Sequence, residues 1–203
     1  MKHSNTSALP QNELSIIAQT RNEVVAHRAH TGENLFLVWG YPTAFFLLVE
    51  FAALILWGAD WCNWLWLGIP LVGAPLMIHD LRQDYERTGH RTHDSDLALK
   101  LWIFIGFASA VMGFATGCAD LFDECYCTFQ GLLVGFGCFL TGIISRFRRM
   151  TVCGIVGSLL TFASLFFQGD MWPYQLLIAS LITVISLIIP GHLLKQYIHQ
   201  VEE

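Results

Sequence analysis

Charge is what this sequence has least of. Only 13% of its 203 residues are Asp, Glu, Lys or Arg, against about 25% in an ordinary soluble domain. No stretch is long and polar enough to make a second, soluble domain, so the chain reads as one domain with a short polar preface. Basic charge is scarcer than acidic, with 11 Lys and Arg against 16 Asp and Glu and a net charge of −5. There is no basic stripe with interleaved aromatics, which argues against nucleic acid as a partner. Two motifs are missing as well. Without HExxH a zinc peptidase has no direct support, and Cys125-Tyr126-Cys127 lacks the CxxC spacing of a thioredoxin-like site. No internal repeat supports an inverted-repeat transporter. The first 34 residues lack the basic, apolar and small-residue segments of a secretory signal, so the first span is expected to act as an uncleaved insertion signal.

What is abundant is apolar sequence, 54% of the chain. Leu35 to Trp57 carries a single ionisable side chain, Glu50, and about 18 apolar residues suffice to cross a bilayer core of roughly 30 Å as a helix. Five more runs follow. The predicted fold is an all-α membrane protein with six transmembrane helices at about 35–57, 64–79, 97–118, 128–144, 151–167 and 174–194. Span two holds Gly68, Pro70, Gly73 and Pro75 and is expected to kink, because proline removes a backbone donor and crowds the preceding turn. Ahead of the 35–194 membrane domain, residues 1–12 read as a tail. In residues 13–34, Leu14, Ile17, Ala18, Val24 and Val25 fall at helical spacing, which predicts an amphipathic helix lying in the headgroups or on the protein's own loops. Residues 195–203 form a C-terminal tail.

The connections predict orientation. Lys2, Arg21 and Arg28 precede span one. Arg82, Arg87, Arg91 and Lys100 flank the second connection, Arg146, Arg148 and Arg149 the fourth, and Lys195 follows span six. These are all eleven basic residues, and the six-span reading puts them on one side. The other side has Asp60, Asp120, Asp123, Glu124 and Asp170. By the positive-inside rule both termini are cytoplasmic. Trp57, Trp61, Trp64 and Trp172 at one boundary, with Trp39 and Trp102 at the other, suggest aromatic belts. Gly113/Gly117, Gly131/Gly135 and Gly154/Ser158 have the small-xxx-small spacing that lets helices approach closely, within one chain or between two.

Candidates for chemistry are few. Glu50 lies about two turns from the outer end of span one, at a depth where an acid costs roughly 3 kcal/mol on insertion scales. It is a candidate for binding or relaying a proton or cation. The competing reading is a neutral acid hydrogen-bonded to a neighbouring Ser, Thr or Asn. His27/His30 and His90/His93 have pairwise metal spacing, but a zinc site needs three or four convergent ligands. His79 and His192 read as imidazoles closing spans two and six, favourable at a helix C-terminus. Cys62, Cys118, Cys125 and Cys127 fall on the outer side, where Cys118 can close a small disulfide loop to Cys125 or Cys127. Cys138 and Cys153 read as packed apolar residues. Arg146, Arg148 and Arg149 are candidate lipid-headgroup contacts, at about 1 kcal/mol each beside anionic lipid. Nothing calls for a cofactor or names a catalytic residue.

The sequence Leu37-Val38-Trp39-Gly40 after a short amphipathic helix, then Trp66-Leu67-Gly68-Ile69-Pro70-Leu71, and the ending Ile189-Pro190-Gly191-His192-Leu193-Leu194 carry a resemblance. Together they resemble a group of small multi-span bacterial inner-membrane proteins with no assigned activity. The resemblance implies topology and a bacterial inner membrane, and no site residues. The expected function is a non-enzymatic accessory or signalling component, meeting a cytoplasmic protein through the N-terminal helix or the 80–96 loop, with oligomers allowed. A small proton- or cation-coupled transporter or channel using Glu50 competes with it. So does a membrane-surface metal-dependent enzyme using His79, His90, His93 and His192.

Overall fold

The computed structural model describes residues 35–58, 60–88, 93–119 and 125–202. The expected amphipathic helix of residues 13–34 lies outside them. Regular structure among the described residues is helical throughout, with no strand. Six helical stretches are long and apolar enough to cross a membrane: Leu35–Trp57, Trp64–Gln83, Asp96–Thr116, Tyr126–Ile144, Arg148–Phe166 and Tyr174–Tyr197.

The first, α1 (Leu35–Trp57), stops at Gly58. That residue adopts φ +57°, and its N–H returns to the Leu54 carbonyl at 2.9 Å. Such a left-handed cap is easy for glycine, which has no Cβ to clash. A 3-10 stretch, Asp60–Leu67, leads into α2 (Gly68–Thr88). Span two was expected to begin as α-helix at Trp64. Instead the α-helix starts at Gly68 and leaves Pro70 in its first turn, where a missing N–H costs nothing. Pro75 alone lies in the interior. The expected 80–96 loop is mostly helix as well. Residues 80–88 prolong α2, because DLRQDYERT contains no glycine or proline to stop it, and α3 (His93–Ala119) begins four residues beyond Gly89.

Helices α4 (Tyr126–Ile144) and α5 (Arg148–Thr161) are joined by a three-residue turn. Here the Arg146 N–H reaches Ile143 O at 3.1 Å and the Phe147 N–H reaches Gly142 O at 2.9 Å, a Schellman arrangement. The left-handed position, φ +56°, is held by Arg146 rather than glycine. A 3-10 extension, Phe162–Phe166, completes span five. Span six is α6 (Tyr174–Thr183), one π turn (Val184–Ile188), then α7 (Ile189–Glu202). Pro190 cannot donate to the carbonyl four residues back, and a local π adjustment next to such a break is a common accommodation. Helix α7 continues through the expected tail, since LKQYIHQVE has no breaker.

Ring contacts define an up-and-down bundle. At one end Phe36 meets Trp102 edge-on at 5.2 Å and Phe147 meets Tyr197 at 5.5 Å. At the other, Trp66 meets Tyr126 at 5.3 Å and Phe51 meets Tyr174 at 5.7 Å. The described basic residues therefore share the end of Phe36, Phe147 and Tyr197. Span six is central and span two peripheral, with 50% and 6% of their most apolar stretches buried. Two apolar clusters make the core. Phe36, Cys138, Met150, Leu187 and Leu194 lie toward the basic end, and Leu47, Cys127, Leu176 and Ala179 toward the other.

The α4–α5 pair is the tightest contact in the bundle. Glycines allow it: a Cβ at Gly154 would meet Phe139 Cα at 2.7 Å and Gly135 O at 2.8 Å, and one at Gly142 would meet Thr151 N at 2.5 Å. The Gly131/Gly135 and Gly154/Ser158 spacings thus serve contact within one chain. The tryptophans divide. Trp57 and Trp64 are exposed at the end of the bundle away from the basic residues. Trp102 donates from Nε1 to Thr141 Oγ1 at 3.1 Å and Trp39 to Met77 Sδ at 3.3 Å, so these two pack between helices rather than form a belt.

Candidate functional site

Glu50 is the one acid enclosed by the bundle among the described residues, 1% exposed. On α1 its helical neighbours Leu47, Phe51 and Leu54 belong to the apolar cluster away from the basic end, with Cys127, Leu176, Trp66 and Tyr126. Its carboxyl is hydrogen-bonded by the Trp66 side chain, whose indole N–H is the donor. The expected Ser, Thr or Asn partner is thereby replaced by a tryptophan on the 3-10 stretch that no spacing rule connects to residue 50. The Cys127 thiol and the Tyr126 phenol lie within electrostatic reach of the carboxyl.

A separate short polar link lies beside this point. Gln130 Nε2 donates to Tyr126 Oη at 3.0 Å and to the Ser109 carbonyl at 3.1 Å, tying α4 to α3 with both amide hydrogens used. Beside it, hydroxyls line the interior between α4, α5 and α6. Thr128 Oγ1 and Ser164 Oγ are 2.6 Å apart. Ser164, Thr161 and Thr183 donate to the Thr161, Gly157 and Ala179 carbonyls at 2.7, 2.9 and 2.8 Å. Gln175, 2% exposed, donates to Phe167 O at 2.6 Å. Ser186, in the π turn, is wholly buried against Gly157, and its Oγ has no hydrogen-bond partner. Toward the basic end the lining becomes Cys138, Met150, Leu187 and Phe36. These hydroxyls concentrate in the half of the interior away from the basic end. Sequence reading missed this, because serine and threonine bonded to their own helix leave no long-range pattern.

No protein-family model, curated protein or solved structure matches the chain.

The remaining candidates fall apart or lie elsewhere. His90 is outside the described residues, and His93 opens α3 with its side chain outside them. Among the described residues no three His, Cys, Asp or Glu side chains converge as a metal site. His79 and His192 do not close helices: α2 runs on to Thr88 and α7 to Glu202. His79 faces Asp80 at 3.7 Å, and His192 Nε2 lies 2.6 Å from Tyr41 Oη. Cys125 and Cys127 are free thiols, so neither closes the expected loop to Cys118. Cys127 sits in the first turn of α4 facing the core, 6% exposed. Arg146, Arg148 and Arg149 are all exposed at the α4–α5 turn.

Proposed function

We propose that the chain is a multi-pass protein of a bacterial inner membrane, with both termini cytoplasmic, working as a non-enzymatic accessory or signalling component. Six apolar helices and the gathering of basic residues at one end support the membrane and the orientation. The observation that carries the non-enzymatic reading is the enclosure of Glu50. A carboxyl 1% exposed, on the helix that gives Leu47, Phe51 and Leu54 to an apolar cluster and bonded to Trp66, ties α1 to the 3-10 stretch. That is the work of a structural tie. Arg146, Arg148 and Arg149 then lie at the cytoplasmic headgroups, and residues 80–88 extend α2 into the cytoplasm as a rod on which a protein partner can dock.

Native Cys127 tests the seal. In a chain whose other cysteines are serine, a membrane-impermeant maleimide added from the outer side should label Cys127 far more slowly than a Cys125 control. Labelling at the control rate would mean that water reaches Glu50.

The second reading is a proton- or cation-coupled transporter centred on Glu50. The hydroxyl-lined outer half of the interior favours it, since a half-pathway ending at an apolar plug is a form alternating access takes. Proton-driven flux in proteoliposomes that disappears in Glu50→Gln would put this reading first. A C-terminal reporter active only in the cytoplasm tests the orientation separately.

A further inference from the structure

Tyr41 and His192 form a polar pair on the outside of the bundle, where lipid tails would lie. Tyr41 is 52% exposed, His192 is exposed, and their rings meet edge-on at 6.0 Å with Oη and Nε2 2.6 Å apart. The pair always leaves a hydrogen over. If the tyrosine donates to Nε2, Nδ1 carries a proton that points elsewhere. If Nε2–H donates to Oη, the tyrosine O–H is free. A protonated imidazole leaves both. Neither side chain has another partner among the described residues, and hydrocarbon offers none, so a donor stands unsatisfied where that is costly.

One turn along the same helix face is Lys195, exposed and adding three more donors. The three residues are graded in depth. Lys195 is two residues from the end of span six at Tyr197, which places it at headgroup level. His192 is a turn deeper, about 4.5 Å at 1.5 Å per residue. Tyr41, on span one, brings its Oη to the depth of His192. A glycerophospholipid has the same order of acceptors, an anionic phosphate outermost and ester carbonyls one step beneath it.

We infer that Tyr41, His192 and Lys195 form a binding site for an anionic diacyl phospholipid of the leaflet at the basic end, between spans one and six. Lys195 takes the phosphate, and the Tyr41–His192 pair gives its spare hydrogen to an ester carbonyl. Close packing beneath holds the two helices in register: Gly191 lies under Leu37 and Phe36, and Gly40 against Leu187 and Ile188. Which leaflet this is rests on the orientation proposed above, but the site does not.

The test is native mass spectrometry of the purified full chain in detergent, with phosphatidylglycerol, its ether-linked analogue or phosphatidylcholine added. This readout is blind to orientation, so it can fail while the reporter assay succeeds, and the reverse. The wild type should retain one phosphatidylglycerol about five-fold more than phosphatidylcholine, given what one basic residue contributes beside an anionic lipid. The ether analogue should be retained less than the ester. Lys195→Gln, a surface change that leaves the fold intact, should remove the headgroup preference. Tyr41→Phe should remove the ester preference. Equal retention of all three lipids overturns the proposal, as does retention unaltered by Lys195→Gln. Displacement by millimolar inorganic phosphate would reassign the site to a soluble anion. A dimer mass that vanishes in Tyr41→Phe would reassign it to a second copy of the chain.

Discussion

Replacing Gly154 by alanine should be among the most damaging single-methyl changes in this protein. The added Cβ would stand 2.7 Å from Phe139 Cα, 2.8 Å from Gly135 O and closer still to Phe139 N. Every one of those atoms is backbone, so no rotamer change makes room. Ordinary contact begins at 3.4 Å, and α4 and α5 must therefore part by roughly 1 Å. That separation also opens the contacts of Gly135 with Ser158 and of Gly142 with Thr151. Overpacking of this kind costs about 1–3 kcal/mol, while alanine regains up to about 1 kcal/mol of helix propensity. A net loss of about 2 kcal/mol is expected because the loosening runs the length of the pair. Gly106 supplies the control, since a Cβ there meets nothing within 4 Å. Gly106→Ala keeps the propensity gain and should be neutral or slightly stabilising. Thermal melting in one detergent, read by loss of the monodisperse peak, compares the two directly. If Gly154→Ala melts with the wild type, the close approach of α4 and α5 described above is wrong.

Other outcomes follow from the same contacts. In a double-mutant cycle of Glu50→Gln with Trp66→Phe, the coupling should be about 0.6–1.7 kcal/mol, the range for interhelical hydrogen bonds in membranes; strict additivity would mean the two do not interact. Ser186→Ala should stabilise by about 1 kcal/mol, because it removes a buried hydroxyl that lacks a partner, and a lower melting point would show that the hydroxyl is bonded in solution. Gly157→Ala should destabilise the wild type by collision with Ser186 Oγ but do less harm in Ser186→Ala, where the nearest remaining serine atom is Cβ at 3.3 Å; equal losses in both backgrounds would exclude that contact. Arg146→Gly should raise stability by about 1 kcal/mol, since glycine carries no penalty at φ +56°, and an unchanged or lower melting point would place the turn in another conformation.

The spans were legible because hydropathy is a local property. Leu35–Trp57 comes out of composition, and Trp57 is where the structure ends the helix. The small-residue spacings of α4 and α5 were legible for a similar reason, since only close helix contact uses glycine every fourth residue. Glu50 stood out as a lone charge in an apolar run. Its partner did not, because Trp66 is brought to it by the path of the 3-10 stretch and not by any fixed offset. Cys127 looked like an outer-face thiol from its place near a loop, but one turn of α4 turns it inward. His192 looked like a helix terminus because the apolar run ends there, while the helix itself does not. The hydroxyl-lined interior was invisible for the opposite reason: Thr161, Ser164 and Thr183 bond to carbonyls of their own helical segment, and the one bond between helices, Thr128 to Ser164, follows no fixed offset.

The π turn at Val184–Ile188 also keeps a phase. The face that buries Leu176, Ala179 and Thr183 continues across it through Leu187, Pro190 and Leu194, at steps of three or four residues and about 100° of rotation per residue. Deleting one residue between 184 and 188 would leave length and hydropathy nearly untouched. It would nonetheless swing the last three turns around the axis, carry His192 away from Tyr41, and present to the lipid a side chain now inside.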